Sequence, residues 1–138
     1  MQTPHQINTF MNIYFNQKAL IYNSEGKFLA LKAAYKKFLW DLPGGGVEIP
    51  EEHEPGLRRE IREETGLEVE NIQPIQVHSG HNKEEGFYII LICYSCNALS
   101  GDVQLSQEHT EYRWVTKEEF LELEAIPYQK DLVRSLKS

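Results

Sequence analysis

Three glutamates make the strongest chemical statement in this sequence. Glu60, Glu63 and Glu64 stand at i, i+3 and i+4 in the run LRREIREET, a spacing that brings all three to one face of a helix. Like charges so placed repel one another, and near a helix C-terminus they also oppose the macrodipole. A bound cation offsets both costs, and hard carboxylate oxygens on a tight arc suit Mg²⁺ or Mn²⁺. The bland alternative is a solvated acidic face, salt-bridged by Arg58, Arg59 and Arg62. The frame argues against it: Leu42-Pro43-Gly44 leads into Gly45-Gly46, Gly66 closes the far end, and the acidic segment lies between these turns.

Gly45, Glu51, Arg59-Glu60-Ile61, Glu63-Glu64, Gly66 and Leu67 match the Nudix box at every defined position, so residues 45 to 67 resemble the Nudix hydrolase family, MutT-like members included. Leu42-Pro43-Gly44 and the stretch from Glu108 to Val115 are also similar to it. The resemblance implies an α/β fold, a Nudix-type α/β/α sandwich around a mixed β-sheet, with the box as a loop–helix–loop. It implies a metal-dependent pyrophosphohydrolase that cleaves a diphosphate linkage in a nucleoside diphosphate derivative by water attack at phosphorus. Glu60 and Glu64 are the expected metal ligands, the Gly44 carbonyl adds another, and Glu63 binds a second metal or positions the water. Arg59 lies four residues before Glu63 and is spaced to hold its carboxylate. Glu51 is expected to reach a metal through water, and Gly45 to lie against the substrate. Three departures concern the entry to the helix: Pro50 where glycine is usual, Glu52 where a Ser or Thr cap is common, and Gly56 where alanine is usual, costing up to about 1 kcal/mol in helix propensity.

These residues need elements to position them. Apolar runs between Ile7 and Tyr22, broken by Asn16-Gln17-Lys18, predict one or two strands. The turn signal Asn23-Ser24-Glu25-Gly26 and the run Lys27 to Leu31 complete a hairpin. Ala33 to Phe38 reads as a basic, aromatic surface loop, and Leu39 to Leu42 as a short strand. The acidic helix starts near His53 to Pro55 and stops at Gly66, with Leu57 and Ile61 facing the core. Val69 to Val77 contains Pro74 and predicts an edge or bulged strand, followed by a polar loop over His78 to Gly86. FYIILICYSC, residues 87 to 96, predicts a central, doubly covered strand. Leu99 to Thr110 reads as a loop and Glu111 to Val115 as a strand. Thr116 and Glu119 form a capping box, and Pro127 opens a last helix. With 138 residues and no repeat, linker or low-complexity run, a single domain over 1–138 is expected.

Secondary candidates lie outside the box. Tyr35 and Trp40 offer faces on which a base could stack, and Lys36 and Lys37 offer charges for a terminal phosphate. His78, His81 and His109 are weaker metal candidates. The family often supplies a base from a loop across the cleft. Of Glu108 and Glu111, Glu108 is the expected base or extra ligand, because it is placed in the loop and free to swing. The net charge of −7 disfavours nucleic-acid duplexes as partners. There is no run of about 18 apolar residues and no signal-peptide pattern, so no membrane association and a cytoplasmic location are expected. Cys93 and Cys96, three apart in a strand, point to opposite faces and are expected as free buried thiols. A small-molecule nucleotide is the expected substrate: a nucleoside triphosphate, ahead of a nucleotide sugar such as an ADP-ribose-like compound or a dinucleoside polyphosphate. A non-catalytic nucleotide-binding domain is the rival class, though such a module is expected to have lost a box carboxylate. Either a monomer or a homodimer fits the sequence.

Overall fold

The computed structural model describes residues 12–46 and 52–137. Its strands are β1 (Asn12–Tyr22), β2 (Phe28–Ala33), β3 (Trp40–Asp41), β4 (Gly44–Gly46), β5 (Val69–Asn82), β6 (Phe87–Ala98) and β7 (His109–Val115). The helices are α1 (His53–Thr65), α2 (Lys117–Glu122) and α3 (Pro127–Ser135). The strands form one mixed seven-stranded sheet in the order β3-β2-β1-β6-β5, with β4 also on β1 and β7 also on β2. Among the named strands of the described residues, β1 and β6 run parallel and the other pairings are antiparallel.

Alternation along the strands divides the core in two. Ala19 and Ile21 of β1 point to one face and pack with Leu57 and Ile61 of α1; Leu20 points to the other and packs with Phe120 of α2 and Leu132 of α3. The same period separates the cysteines: Cys93 joins the second cluster, Cys96 the first, and both are free thiols. Burial pushes each of them up to about 12. The result is the expected helix–sheet–helix layering.

Two expectations are corrected. The polar run His78 to Asn82 is not loop: it extends β5 against β6 as far as Asn82↔Phe87, so only residues 83–86 turn the hairpin. An edge strand needs apolar residues on one face at most, so polarity alone misled there. Asn16-Gln17-Lys18, likewise, does not break β1, which runs unbroken beside β6. Pro74 does sit on the edge strand, beside register shifts. The glycine turn itself pairs as strand β4, β7 starts at His109 within the expected loop, and the part of the first strand expectation before Asn12 lies outside the described residues; the remaining elements lie close to where expected. Gly66 closes α1 at φ 71°, and Thr116 and Glu119 bond reciprocally at the start of α2.

Candidate active site

Everything in the candidate site hangs on the turn between β3 and β4. Gly44 has φ +129°, and a Cβ there would lie 2.0 Å from the Gln17 carbonyl oxygen, so only glycine fits. Because Ala19 N–H bonds the Pro43 carbonyl, the adjacent Lys18–Gly44 pair is of the non-hydrogen-bonded kind. The N–H and C=O of Gly44 therefore point away from β1. The N–H donates to Glu64 Oε1 at 3.1 Å, and the C=O accepts from Lys18 Nζ at 3.1 Å. Gly45 leaves room for a second carboxylate: a Cβ there would lie 3.0 Å from the carboxyl carbon of Glu60.

Helix α1 presents these acids because one stripe of it is apolar. Leu57 and Ile61 are fully buried, Thr65 bonds back to the Ile61 carbonyl, and Glu64 shares the inward face. Glu52 makes no side-chain cap, and His53 instead stacks on Tyr94 at 6.2 Å. The last turn is tied down from outside, since Gln104 N–H donates to the Thr65 carbonyl and Ser106 N–H to that of Glu64.

Beneath the turn lies a buried polar floor. Lys18 Nζ contacts Asp41 Oδ1 at 3.1 Å and also donates to the Leu42 carbonyl at 3.0 Å. Gln129 of α3, fully buried, donates to Asp41 at 2.6 Å and accepts from Leu42 N–H at 2.8 Å. His109 Nε2 stands 3.9 Å from Asp41, beyond hydrogen-bond reach, and its buried Nδ1 has no hydrogen-bond partner among the described residues. Burial pushes the Glu64 carboxyl up to about 8, against the pull of Lys18 and the Gly44 N–H, with Asp41 and Glu60 adding to the rise. Burial alone would raise Asp41 too, but Lys18 beside it holds it well below the usual carboxylate range. Burial works to discharge Lys18, yet Asp41 and Glu64 outweigh it and leave the ammonium more firmly protonated.

A cleft of about 510 Å³ opens over this floor. Glu60, Glu64, Gly44, Gly45, Tyr35 and Glu108 of the expected site line it. Glu63 does not: its side chain is 58% exposed and turned outward, where Arg59 donates to it at 3.1 Å while also holding Glu60 at 3.1 Å. The three glutamates share a helix, but adjacent positions lie about 100° apart, so Glu64 and Glu63 diverge. Trp40 is 5% exposed, packed in the core with Arg113 over its ring at 4.9 Å, and presents no free face to a base. Lys37, at φ 61°, is exposed away from the cleft. His78 and His81 lie on edge strand β5 and do not line it either. Glu51 falls outside the described residues. The loop carrying Glu108 is not free to swing, because the Glu108 carbonyl accepts from Ala34 N–H at 2.8 Å; only its side chain has latitude. Glu111 is fixed across from Lys32 at 4.0 Å and beside Arg113 at 3.5 Å.

Lys18, Asp41, Gln129 and Tyr128, the last of which lines the cleft, are not among the expected site residues, and His109 is only a weak candidate there. One signal was available: Asn16-Gln17-Lys18 interrupts an otherwise apolar strand. Asn16 and Lys18, both lining the cleft, project on one face and Gln17 on the other.

Comparison with known proteins agrees with this fold. The NUDIX domain family model matches residues 16–136. The chain is 36% identical over 110 residues to the nucleoside triphosphatase NudI of Salmonella arizonae, covering 70% of this chain and 78% of that one. It is 32% identical over 117 residues to a MutT-like protein of Streptomyces ambofaciens, covering 85% and 73%. Its fold is similar to the crystal structure of a MutT protein from Methanosarcina mazei, with TM-score 0.76 and 30% identity over 90% of this chain and 92% of the other. The solution structure of the E. coli ORF135 protein is also similar, with TM-score 0.75 and 27% identity over 91% and 89%. With its box complete and two of the box glutamates gathered at the Gly44 turn, this chain belongs to the Nudix family and is a Nudix hydrolase, an enzyme acting on phosphorus-containing acid anhydrides.

Proposed function

We propose that this chain hydrolyses a nucleoside triphosphate with the help of Mg²⁺ or Mn²⁺, held by Glu60 and Glu64 with the Gly44 carbonyl. The observation that carries the reading is the glycine turn itself: Gly45 leaves a cradle that a side chain would fill, the Glu60 carboxylate lies in it, and Glu64 reaches the same turn. Among the described residues no three His, Cys, Asp or Glu side chains converge on one point. Two carboxylates and a carbonyl nevertheless suit Mg²⁺, which keeps waters and substrate oxygens for its remaining positions. A bound cation supplies charge neutralisation at the phosphate oxygens and a more acidic water.

The chain's own residues supply the rest. Arg59 clamps the Glu60 carboxylate against the turn, so that ligand is oriented before any ion arrives. Glu108, with its backbone fixed and its side chain at the cleft, takes the proton of the attacking water. Tyr35, 68% exposed at the rim, offers a face to the base. The preference for triphosphates rests on the NudI likeness and on a short chain without a large specificity insertion.

A panel of nucleoside triphosphates, nucleotide sugars and dinucleoside polyphosphates, assayed with Mg²⁺ and Mn²⁺ for phosphate and pyrophosphate, tests this. Turnover of triphosphates that chelator abolishes is expected. Undiminished turnover in excess chelator would overturn the metal reading, and preferential cleavage of nucleotide sugars would overturn the substrate reading.

A further inference from the structure

The ammonium of Lys18 is spent before any substrate arrives. It has three N–H bonds and three acceptors around it: the Leu42 carbonyl at 3.0 Å, the Gly44 carbonyl at 3.1 Å and Asp41 Oδ1 at 3.1 Å. Although it lines the cleft, it has no donor left for a phosphate, so it is not a substrate ligand. Nor is it well explained as a stabilising filler. A buried ion pair is often no better than apolar residues of the same volume, because desolvation consumes the Coulomb gain.

What the ammonium does that no apolar side chain could is grip the backbone of the Gly44 turn. Gly44 is held from three directions: by the Gln17 carbonyl against its Cα, by Glu64 on its N–H and by Lys18 on its C=O. Remove the last and the carbonyl loses its side-chain donor, so the peptide plane it shares with Gly45 is held only from the other side, where Gly45 pairs with Gln17 of β1. The Glu60 carboxylate rests on that same glycine. Asp41 and Gln129 fix Lys18 in turn, and Gln129 also holds Leu42 N–H, so the turn is braced on both sides of Pro43.

We infer that Lys18 is a positioning residue: by holding the Gly44 carbonyl it fixes the geometry of the cation site formed with Glu60 and Glu64. This rests on the proposed metal reading. Two effects of Lys18 on a nearby cation oppose each other, because its charge repels the ion while its hydrogen bond aims a ligand. An isocharge variant separates them. Lys18→Met/Asp41→Asn removes one positive and one negative charge together and leaves net charge unchanged.

The test is Mn²⁺ binding without nucleotide, followed by the electron paramagnetic resonance of free and bound ion, with thermal melting measured alongside. The expected result is a Kd about 10–100-fold weaker for Lys18→Met/Asp41→Asn, the range typical when a group orienting a metal ligand is lost. The bound-ion spectrum should broaden as the ligand set loosens. A purely structural role would lower the melting temperature and leave both readouts unmoved. Wild-type affinity in the double variant overturns the inference. If that variant does not fold, Lys18→Arg decides: it keeps the charge but cannot place three N–H groups at the same point. Weakened Mn²⁺ binding by folded Lys18→Arg supports the inference, and unchanged binding overturns it. Failure of the wild-type protein to bind Mn²⁺ at all would instead sink the metal reading on which the inference stands.

Discussion

Glu63 and Glu64 are adjacent, chemically identical, and live in different worlds. Glu63 projects into solvent from the flank of α1, where its charge is matched by Arg59 in an ordinary i, i+4 pair. Glu64 is 6% exposed over the floor built by Lys18, Asp41 and Gln129, and its carboxyl is pushed up to about 8. The flank also carries Glu54–Arg58 and Arg62–Glu68, pairs that water and salt largely screen. The floor has no such relief. The lesson is that a carboxylate's chemistry here is set by which side of one helix it occupies. Burial and bonding partners both change across a single residue step.

The contrast can be broken most directly by Glu64→Gln. It should remove the metal-induced rise in melting temperature, which reflects preferential binding to the folded state, and should abolish metal-supported turnover. Glu63→Gln should leave the metal-induced shift in place. Equal metal shifts for the two variants would erase the proposed distinction. Next in size is Glu108→Gln, which is expected to lower kcat and kcat/KM together by about 10²-fold or more, as loss of a general base does. Glu111→Gln, fixed on β7 beside Arg113, should turn over normally; the reverse outcome would reassign the base.

A pH series sharpens the comparison further. Because the folded state raises Glu64 from an ordinary 4.5 to about 8, its contribution to stability is fully present below 4.5 and is lost as pH rises through 8. Asp41 acts in the opposite sense: its lowered value contributes stability above its ordinary 3.8 that is lost as pH falls toward the folded value. The metal-free protein should therefore lose melting temperature between about pH 4.5 and 8, and metal affinity should climb over the same window as the proton leaves Glu64. Glu64→Gln should flatten that decline. The smallest effect belongs to the flank: Arg62→Ala, cutting the exposed contact to Glu68, should leave metal affinity and turnover at wild-type values.

Much of this was legible in the sequence, and the reason differs by element. The box, the caps at Gly66 and Thr116 and the apolar strand β6 announce themselves because each is a local pattern with a local cause. The floor does not, because its parts are far apart along the chain: Lys18, Asp41, His109 and Gln129 meet only through the sheet. Trp40 shows the same limit from the other side. An aromatic near a glycine turn looks available to a base, and only the packing of β3 against the α2–α3 connection buries it. Lys37 failed for a smaller reason, since a short 3₁₀ turn over Lys36–Phe38 carries it away from the cleft.

The parallel pairing of β1 with β6 also bears on how the chain is made. Asn12 meets Phe87 and Tyr22 meets Asn97, so the central contact of the sheet closes a long loop and cannot form until most of the chain is available. The floor waits longer still, because Gln129, which completes the bonds on Asp41 and Leu42, comes from α3. During synthesis, the glycine turn and the acidic helix leave the ribosome well before Gln129, which completes the floor beneath them. Lys18 and Asp41 must stay hydrated through that interval. A nascent chain stopped before α3 is therefore expected to hold its charged centre open to water, and to be degraded readily, until the last helix docks.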